Sequence, residues 1–101
     1  MIVETAAYYS HENDRWVKSA DEYSEFYPVN AEGQRIFTRE LVAELRRHAN
    51  VTGLFWWFPE ENASGNAVTE GWLNRGLFDN HTGKVLPAME ELSRFVQPID
   101  R

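Results

Sequence analysis

The chain has 101 residues, of which 43% are hydrophobic and 26% charged, so it suffices for one small domain with a modest core. Sixteen acidic residues against ten basic ones give a net charge of −6, which argues against nucleic-acid binding, because that function uses Lys and Arg to neutralise phosphates. The absence of cysteine excludes disulfides and cysteine metal sites, and no apolar run approaches the ~20 residues of a membrane span. The first residues lack the features of a signal peptide, so the compartment stays open.

The chain opens with residues typical of a β-strand. β-branched and other strand-compatible residues continue to Tyr9, and Glu4 stands near the C-terminal end of this strand. A strand with no lead-in sequence leads us to expect a piece of a longer protein. Residues 10–30 lack sustained periodicity and predict a long surface loop that carries aromatic side chains such as Trp16, with a helical turn near residues 16–23.

The clearest helix is predicted over residues 31–48. Asn30 suits the N-cap, and apolar residues repeat every four positions from Phe37 to Leu45, which gives one apolar stripe. His48 falls on the apolar side by its spacing. A partly buried structural histidine is therefore expected there rather than a catalytic one.

A second strand is predicted over residues 54–58, where an unbroken apolar run indicates burial on both faces. Pro59 ends it, and Glu60 and Glu61 follow. A strand, a crossover helix and a strand form a βαβ unit with parallel strands. Because neighbouring strands lie ~4.8 Å apart, Glu4 and one of these two carboxylates are expected to approach each other at one edge of the sheet.

The C-terminal third is predicted to be a loop followed by a short helix. Residues 62–85 are rich in Gly and Asn and contain Trp72, with a turn through residues 79–83. Pro87 suits the first position of the final helix. The inward-facing residues of that helix are expected to be Met89, Leu92, Phe95 and Val96.

Aromatic residues near these carboxylates are the second chemical signal. Trp56 and Trp57 point to opposite faces of one strand, so at least one of them can line a cavity while the other packs outward. Trp72 has no evident core partner in the local pattern. Aromatic rings beside paired carboxylates suit a sugar-binding and glycoside-hydrolysing site, whereas the same residues also occur as ordinary core and strand-end residues.

A metal or cofactor site is not indicated. His11, Glu12 and Asp14 lie in one loop but lack the spacing of a metal-binding motif. We therefore expect neither a metal ion nor a cofactor.

Several motifs occur together in the order of one known family. The segments are VETAAY at residues 3–8, Pro28 to Gln34, GLFWWFP at 53–59, WLNRGLFD at 72–79 and GKVLPA at 83–88. They resemble ETAY, Pro-x-x-x-Glu-Gly-Gln, GVFYWEP, WENQALFD and GKALPS of the arabinogalactan endo-β-1,4-galactanases, glycoside hydrolase family 53. The chain departs from that pattern at Ala7, an insertion, and at Phe58, where the family has Glu.

The resemblance implies an α/β fold, namely the seventh and eighth βα units of a TIM (β/α)8 barrel, so that residues 1–101 form a single partial domain. It implies retaining hydrolysis of β-1,4-galactan, with Glu4 as nucleophile and Trp57 as the floor of the subsite next to the cleaved bond. Trp56, Trp72, Glu60 and Glu61 are the further candidate substrate-binding residues. Asn74 and Asp79 match motif positions for which a structural role is open.

The acid/base residue of such enzymes follows an Asn on the fourth strand, which this chain does not supply. We therefore expect a chain that holds the nucleophile half of the site and is inactive by itself. Exposed strand edges predict a homo-oligomer. The alternatives are a non-catalytic carbohydrate-binding module and a self-associating remnant without a ligand. Full-length relatives are expected to be secreted or periplasmic in bacteria.

Overall fold

A computed structural model of the chain describes residues 1–14, 16–19, 21, 27–57, 59 and 74–96. Within these ranges, two strands and two α-helices alternate along the chain, and a short 3-10 turn follows the last helix. In chain order they are β1 (Ile2–Thr5), α1 (Ala31–Leu45), β2 (Gly53–Trp56), α2 (Ala88–Ser93) and the 3-10 turn Arg94–Val96.

The two strands pair in parallel across the helical crossover. The register runs from Ile2 opposite Gly53 to Thr5 opposite Trp56. The predicted parallel βαβ unit is therefore confirmed. Both strands are shorter than predicted. The strand β1 ends at Thr5, where the chain leaves the sheet, and β2 ends at Trp56 instead of residue 58.

One face of this small sheet is open. Ile2, Glu4 and Phe55 are exposed, whereas Trp56 on the opposite side is buried. The prediction that β2 is buried on both faces is therefore wrong for the described part of the chain. Trp56 packs against Ala88 at the start of α2, whereas the large side chains of Ile2 and Phe55 stay largely exposed.

The helix α1 begins as predicted. The side-chain oxygen of Asn30 accepts a hydrogen bond from the backbone N–H of Gly33 at 2.7 Å. This bond satisfies one of the N–H groups that a helix start leaves without a partner. The buried positions of α1 are Gly33, Gln34, Thr38 and Val42. Thr38 and Val42, on the flank of the predicted apolar stripe, are therefore buried, whereas its centre, Phe37, Leu41 and Leu45, is only half-buried.

The end of α1 differs from the prediction. The helix stops at Leu45, and Arg46 is its C-cap. His48 lies beyond the last regular turn and is 55% exposed, with its ring 3.4 Å from the Glu44 carboxylate. The expectation of a partly buried histidine is wrong, because the apolar stripe does not continue past the helix end.

The core lies between the sheet and the C-terminal segment. Trp56, Leu77 and Ala88 form its buried centre. The half-buried residues packed against this centre are Ala6, Ala7, Phe78, Met89 and Leu92. The indole of Trp56 supplies most of the apolar area here, and burial of such a ring is the largest single hydrophobic contribution that one side chain makes.

The final helix also ends earlier than predicted. Pro87 is the N-cap of α2 and Ser93 its last residue, so that Phe95 and Val96 fall in the 3-10 turn. A 3-10 turn has three residues per turn and rotates its side chains away from the α-helical stripe. Accordingly Val96 is 82% exposed, which contradicts its predicted inward position.

The long loop after β1 also differs from expectation where it is described. Residues 16–19 and 21 form bends and a turn rather than the predicted helical turn. The Asp14 side chain accepts the backbone N–H groups of Trp16 and Val17 in this loop.

Gly33 lies where the start of α1 passes the preceding segment at very close range. A Cβ atom at position 33 would lie 1.7 Å from the carbonyl oxygen of Pro28. This distance is far below a van der Waals contact, and the obstructing atom belongs to the backbone. The turn into α1 therefore requires glycine.

We predict that Gly33→Ala destabilises the fold by about 3 kcal/mol or more, since overpacking against backbone forces a shift of the helix start. Gly53→Ala is the matched control, because its Cβ would meet only the exposed side chain of Ile2, at 3.1 Å. The measurement is urea unfolding followed by circular dichroism. Equal losses for the two variants would contradict the close approach.

Candidate functional site

The candidate site lies at the C-terminal edge of the two strands. Glu4 is exposed on the open face of the sheet, directly opposite Phe55 in the neighbouring strand. The backbone N–H of Trp57 donates to the carbonyl oxygen of Thr5 at 3.0 Å, so the pairing continues one residue beyond β2. Trp57 is 40% exposed. The Glu4 carboxylate and the partly exposed Trp57 indole thus lie near the C-terminal ends of two adjacent strands.

The two neighbouring tryptophans have opposite environments. Trp56 is 6% exposed, and its indole N–H donates to the carbonyl oxygen of Arg75. The alternation of side chains along a strand places adjacent residues on opposite faces. The structure therefore presents Trp57 at the surface and places Trp56 in the core, where it ties β2 to the segment before α2.

An arginine and a tyrosine form a pair that the sequence analysis missed. The guanidinium of Arg75 donates to the Tyr8 hydroxyl and lies 4.4 Å from the centre of the Tyr8 ring. Such stacking is a cation–π contact. The available signal was the motif itself, in which Arg75 stands where the resembled family has Gln.

Asn74 is the centre of a buried polar network. Its side chain is fully buried and donates to the backbone oxygen of Glu12 at 2.9 Å and to the Asp14 carboxylate at 3.1 Å. The backbone carbonyl oxygen of Asn74 accepts the backbone N–H of Tyr9 at 3.0 Å. These bonds join the loop after β1 to the segment before α2, and they support a structural role for Asn74.

The Asp14 carboxylate is itself almost fully buried. One of its oxygens accepts the backbone N–H groups of Trp16 and Val17, at 2.8 and 2.9 Å, and the other accepts the Asn74 amide. A buried carboxylate is tolerated where donors satisfy it in this way. The three bonds account for Asp14 as a loop-forming residue.

The turn at residues 79–83 completes the network. Asp79 accepts the backbone N–H groups of His81 and Thr82 at 2.8 and 3.0 Å, and these bonds hold the pKa of Asp79 below its usual range. The Tyr9 hydroxyl accepts the N–H of Asn80 at 3.0 Å. Burial, the main cause, raises the pKa of Tyr9 to about 12, so this hydroxyl stays protonated at physiological pH.

A buried glutamine connects α1 to the segment after β1 and to the segment before α2. The side-chain amide of Gln34 donates to the carbonyl oxygen of Ala7 at 3.1 Å and to that of Gly76 at 2.9 Å. Gln34 is fully buried, and Thr38 donates to its backbone oxygen one turn later. The segment that carries Tyr8 and the segment that carries Arg75 are thereby held at one helix.

A cavity of about 220 Å³ lies between the exit of β1 and the start of α1. Its walls are largely apolar and are formed by Ala6, Ala7, Tyr8, Tyr27, Pro28, Val29, Gly33 and Phe37. The rings of Tyr27 and Phe37 meet edge to face, with centroids 5.5 Å apart. Because a sugar requires several polar partners, these walls are a poor match for its hydroxyl groups.

Three of the predicted site residues lie outside the described residues, namely Glu60, Glu61 and Trp72. The predicted approach of Glu60 or Glu61 to Glu4 therefore stays a prediction. In the described ranges no group of three or more His, Asp or Glu side chains is arranged to hold a metal ion. No helix in the same ranges is long and apolar enough to cross a membrane.

The active sites of (β/α)8 barrels lie at the C-terminal ends of the strands, and glycoside hydrolysis uses carboxylates there. Comparison with protein families agrees: the model of glycosyl hydrolase family 53 matches residues 1–92. The chain therefore belongs to glycosyl hydrolase family 53, and the resemblance seen in its motifs is confirmed. This membership implies a TIM barrel, and a parallel βαβ unit such as the one seen here is consistent with a partial α/β fragment. No curated protein and no solved structure gives a significant match.

An exposed ion pair joins the loop after β1 to the turn at residues 79–83. A ring nitrogen of His81 lies 2.8 Å from the Glu12 carboxylate, and this contact raises the pKa of His81 above its usual 6.5. A raised folded-state pKa contributes stability that is fully present below pH 6.5 and is lost as the pH rises through the raised value.

We predict that His81 titrates above 6.5 in an NMR pH series and that Glu12→Gln returns it toward that value, because the favourable charge is removed. Glu90→Gln, at an exposed position on α2, is the matched control and leaves the His81 titration unchanged. A His81 midpoint that is the same in all three proteins would rule out the pairing with Glu12.

Proposed function

We propose that this chain is the nucleophile-bearing part of an endo-β-1,4-galactan hydrolase and comprises the seventh and eighth βα units of its barrel. The observation that carries the proposal is the position of Glu4: an exposed carboxylate at the C-terminal end of a parallel strand, in a chain of glycosyl hydrolase family 53. The active sites of (β/α)8 barrels lie at this end of the strands.

In the proposed reaction Glu4 acts as the nucleophile of a retaining mechanism. One carboxylate oxygen forms a bond to the anomeric carbon while the bond to the leaving sugar oxygen breaks, which gives a covalent glycosyl-enzyme. The departing oxygen takes a proton from a second carboxylic acid. Water then attacks the anomeric carbon, passes its proton to that same group and frees Glu4.

The second carboxylic acid limits what this chain does. A retaining site needs it about 5 to 5.5 Å from the nucleophile, and the family resemblance places it on the fourth strand of the barrel. General acid catalysis contributes typically 10²- to 10⁴-fold in rate. The proposed half-site is therefore inactive by itself, although its aromatic side chains still meet the polysaccharide.

Substrate contacts are proposed for the surface residues of this edge. Trp57 is accessible beside the strand that carries Glu4, and its indole face suits the apolar face of a sugar ring. Trp72, Glu60 and Glu61 remain proposed contacts on the strength of the sequence. A direct contact is not proposed for Trp56, because its side chain belongs to the core.

The open face of the sheet supports the further proposal of a homo-oligomer. Parallel sheets are normally covered on both faces, whereas here the side chains of Ile2 and Phe55 are largely exposed. Association of several copies would cover the apolar side chains and the unpaired strand edges.

We predict that the purified chain releases no reducing ends from soluble β-1,4-galactan but is retarded in a galactan-containing native gel. Glu4→Gln behaves identically in both assays, because the missing acid already prevents turnover and the indole supplies binding. Glu90→Gln, on α2, is the matched control for loss of one exposed carboxylate. A gel with a soluble β-1,4-glucan reports selectivity for galactan.

Three outcomes would contradict this proposal in different ways. Turnover by the unaltered chain that disappears in Glu4→Gln would mean that the chain or its oligomer supplies a second carboxylate, so the half-site would be wrong. Absence of any retardation by galactan would remove the substrate class. Binding in the absence of turnover that is equal for galactan and glucan would favour a general carbohydrate-binding module.

We predict a mass of at least two chains by light scattering at micromolar concentration. Phe55→Lys is expected to shift the mass toward one chain, because a charge on the open face opposes its coverage. Val96→Lys places the same charge on an exposed residue of the last turn and is expected to leave the mass unchanged. A monomeric mass for the unaltered chain would overturn the oligomer.

A further inference from the structure

An exposed tryptophan lies on the loop after β1, away from the strand that carries Trp57. The Trp16 side chain is 60% exposed, whereas Val17 beside it is fully buried. An indole is the largest apolar side chain, and in water it is available for contact with an apolar surface of a ligand. Neither the family pattern quoted above nor the proposed half-site gives Trp16 a role.

The loop holds Trp16 in a fixed position. Its backbone N–H and that of Val17 both donate to the buried Asp14 carboxylate, at 2.8 and 2.9 Å. The Lys18 ammonium donates to the backbone oxygen of Asp14 at 2.8 Å. Because Asp14 is tied in turn to the fully buried Asn74, the loop is anchored to the body of the protein. A ligand that stacks on Trp16 therefore pays little entropy for ordering the loop.

The anchoring also fixes where the loop lies. It leaves the sheet at the C-terminal end of β1, the end at which Glu4 stands, and the N–H of Tyr9 binds the carbonyl oxygen of Asn74. Trp16 and Trp57 are thus carried by two different segments that both leave this edge of the sheet. Two separate accessible indoles suit a polymer of several sugar rings better than a single sugar.

The geometry points to Trp16 as a second stacking platform for a neutral polysaccharide, on the anchored loop that follows the strand carrying Glu4. This inference rests on the proposed function, because it takes galactan as the polymer. The flat indole face meets the apolar face of a pyranose ring, and the net charge of −6 disfavours an acidic polysaccharide. Trp16 would extend the contact along the chain without touching the reacting bond.

We predict that Trp16→Ala weakens the affinity for soluble β-1,4-galactan about tenfold in affinity electrophoresis, since a stacking contact of about 1.4 kcal/mol is a tenfold change. Trp16→Phe retains a ring and should lose less. Val85→Ala truncates another exposed apolar side chain and should lose nothing. Thermal unfolding is expected to be the same for all four proteins, because both sites are exposed.

The outcomes separate this inference from the function on which it rests. Galactan binding by the unaltered chain that is unchanged in Trp16→Ala would overturn the platform and leave the proposed function standing. An unaltered chain that does not bind galactan would overturn both. A change of oligomer mass in Trp16→Ala with unchanged galactan affinity would assign Trp16 to a contact between copies, and stronger binding of polygalacturonate than of galactan would overturn the neutral ligand.

Discussion

The segments at the C-terminal end of the sheet depend on the hydrogen bonds of one buried side chain, the amide of Gln34. It donates to backbone carbonyl oxygens of two segments that are far apart in sequence, one leaving β1 and the other approaching α2. Neither carbonyl belongs to a regular element, so the helix supplies the bonds that a longer sheet would otherwise provide. Loss of such a donor leaves two buried acceptors without a partner, which is costly. Gly33 allows this arrangement, because the helix start comes so close to Pro28 that a methyl group has no room.

Buried polar groups hold the loops in place, because the small apolar core contacts only part of them. The central cluster of Trp56, Leu77 and Ala88 is small, and beside it Phe78 and Val85 form an isolated antiparallel bridge. In the described loops Asn74 and Asp14 bind backbone groups directly. The loops at the C-terminal end of the strands therefore hold their exposed aromatic residues in defined positions. A binding site for a polymer requires such fixed positions.

Local sequence patterns sufficed for the features that depend on neighbouring residues. The capping role of Asn30, the crossover helix and the parallel pairing follow from spacing and chain order, and the ordered motifs led to the family. The apolar spacing of α1 predicts the buried Thr38 and Val42 but places Phe37 at the centre of the stripe, because a pattern of apolar residues does not include a buried Gln34. The assignment of Trp56 to the core and Trp57 to the surface required the register with β1, which spacing leaves open. The pairs Asn74–Asp14 and Arg75–Tyr8 were invisible because about 60 residues separate their members.

The large sequence separation of these pairs also affects the order in which the contacts form during folding. The hydrogen bond between Asn74 and Asp14 closes a loop of 60 residues, whereas α1 is built from contacts three and four residues apart. Local contacts form quickly, and distant ones must first meet the entropy of loop closure, so the polar network belongs to the late events of folding. Contacts formed last are commonly among the first to open in the native state. The loop that carries Trp16 would then exchange its amide hydrogens sooner than α1, and a polysaccharide bound at Trp16 would slow that exchange.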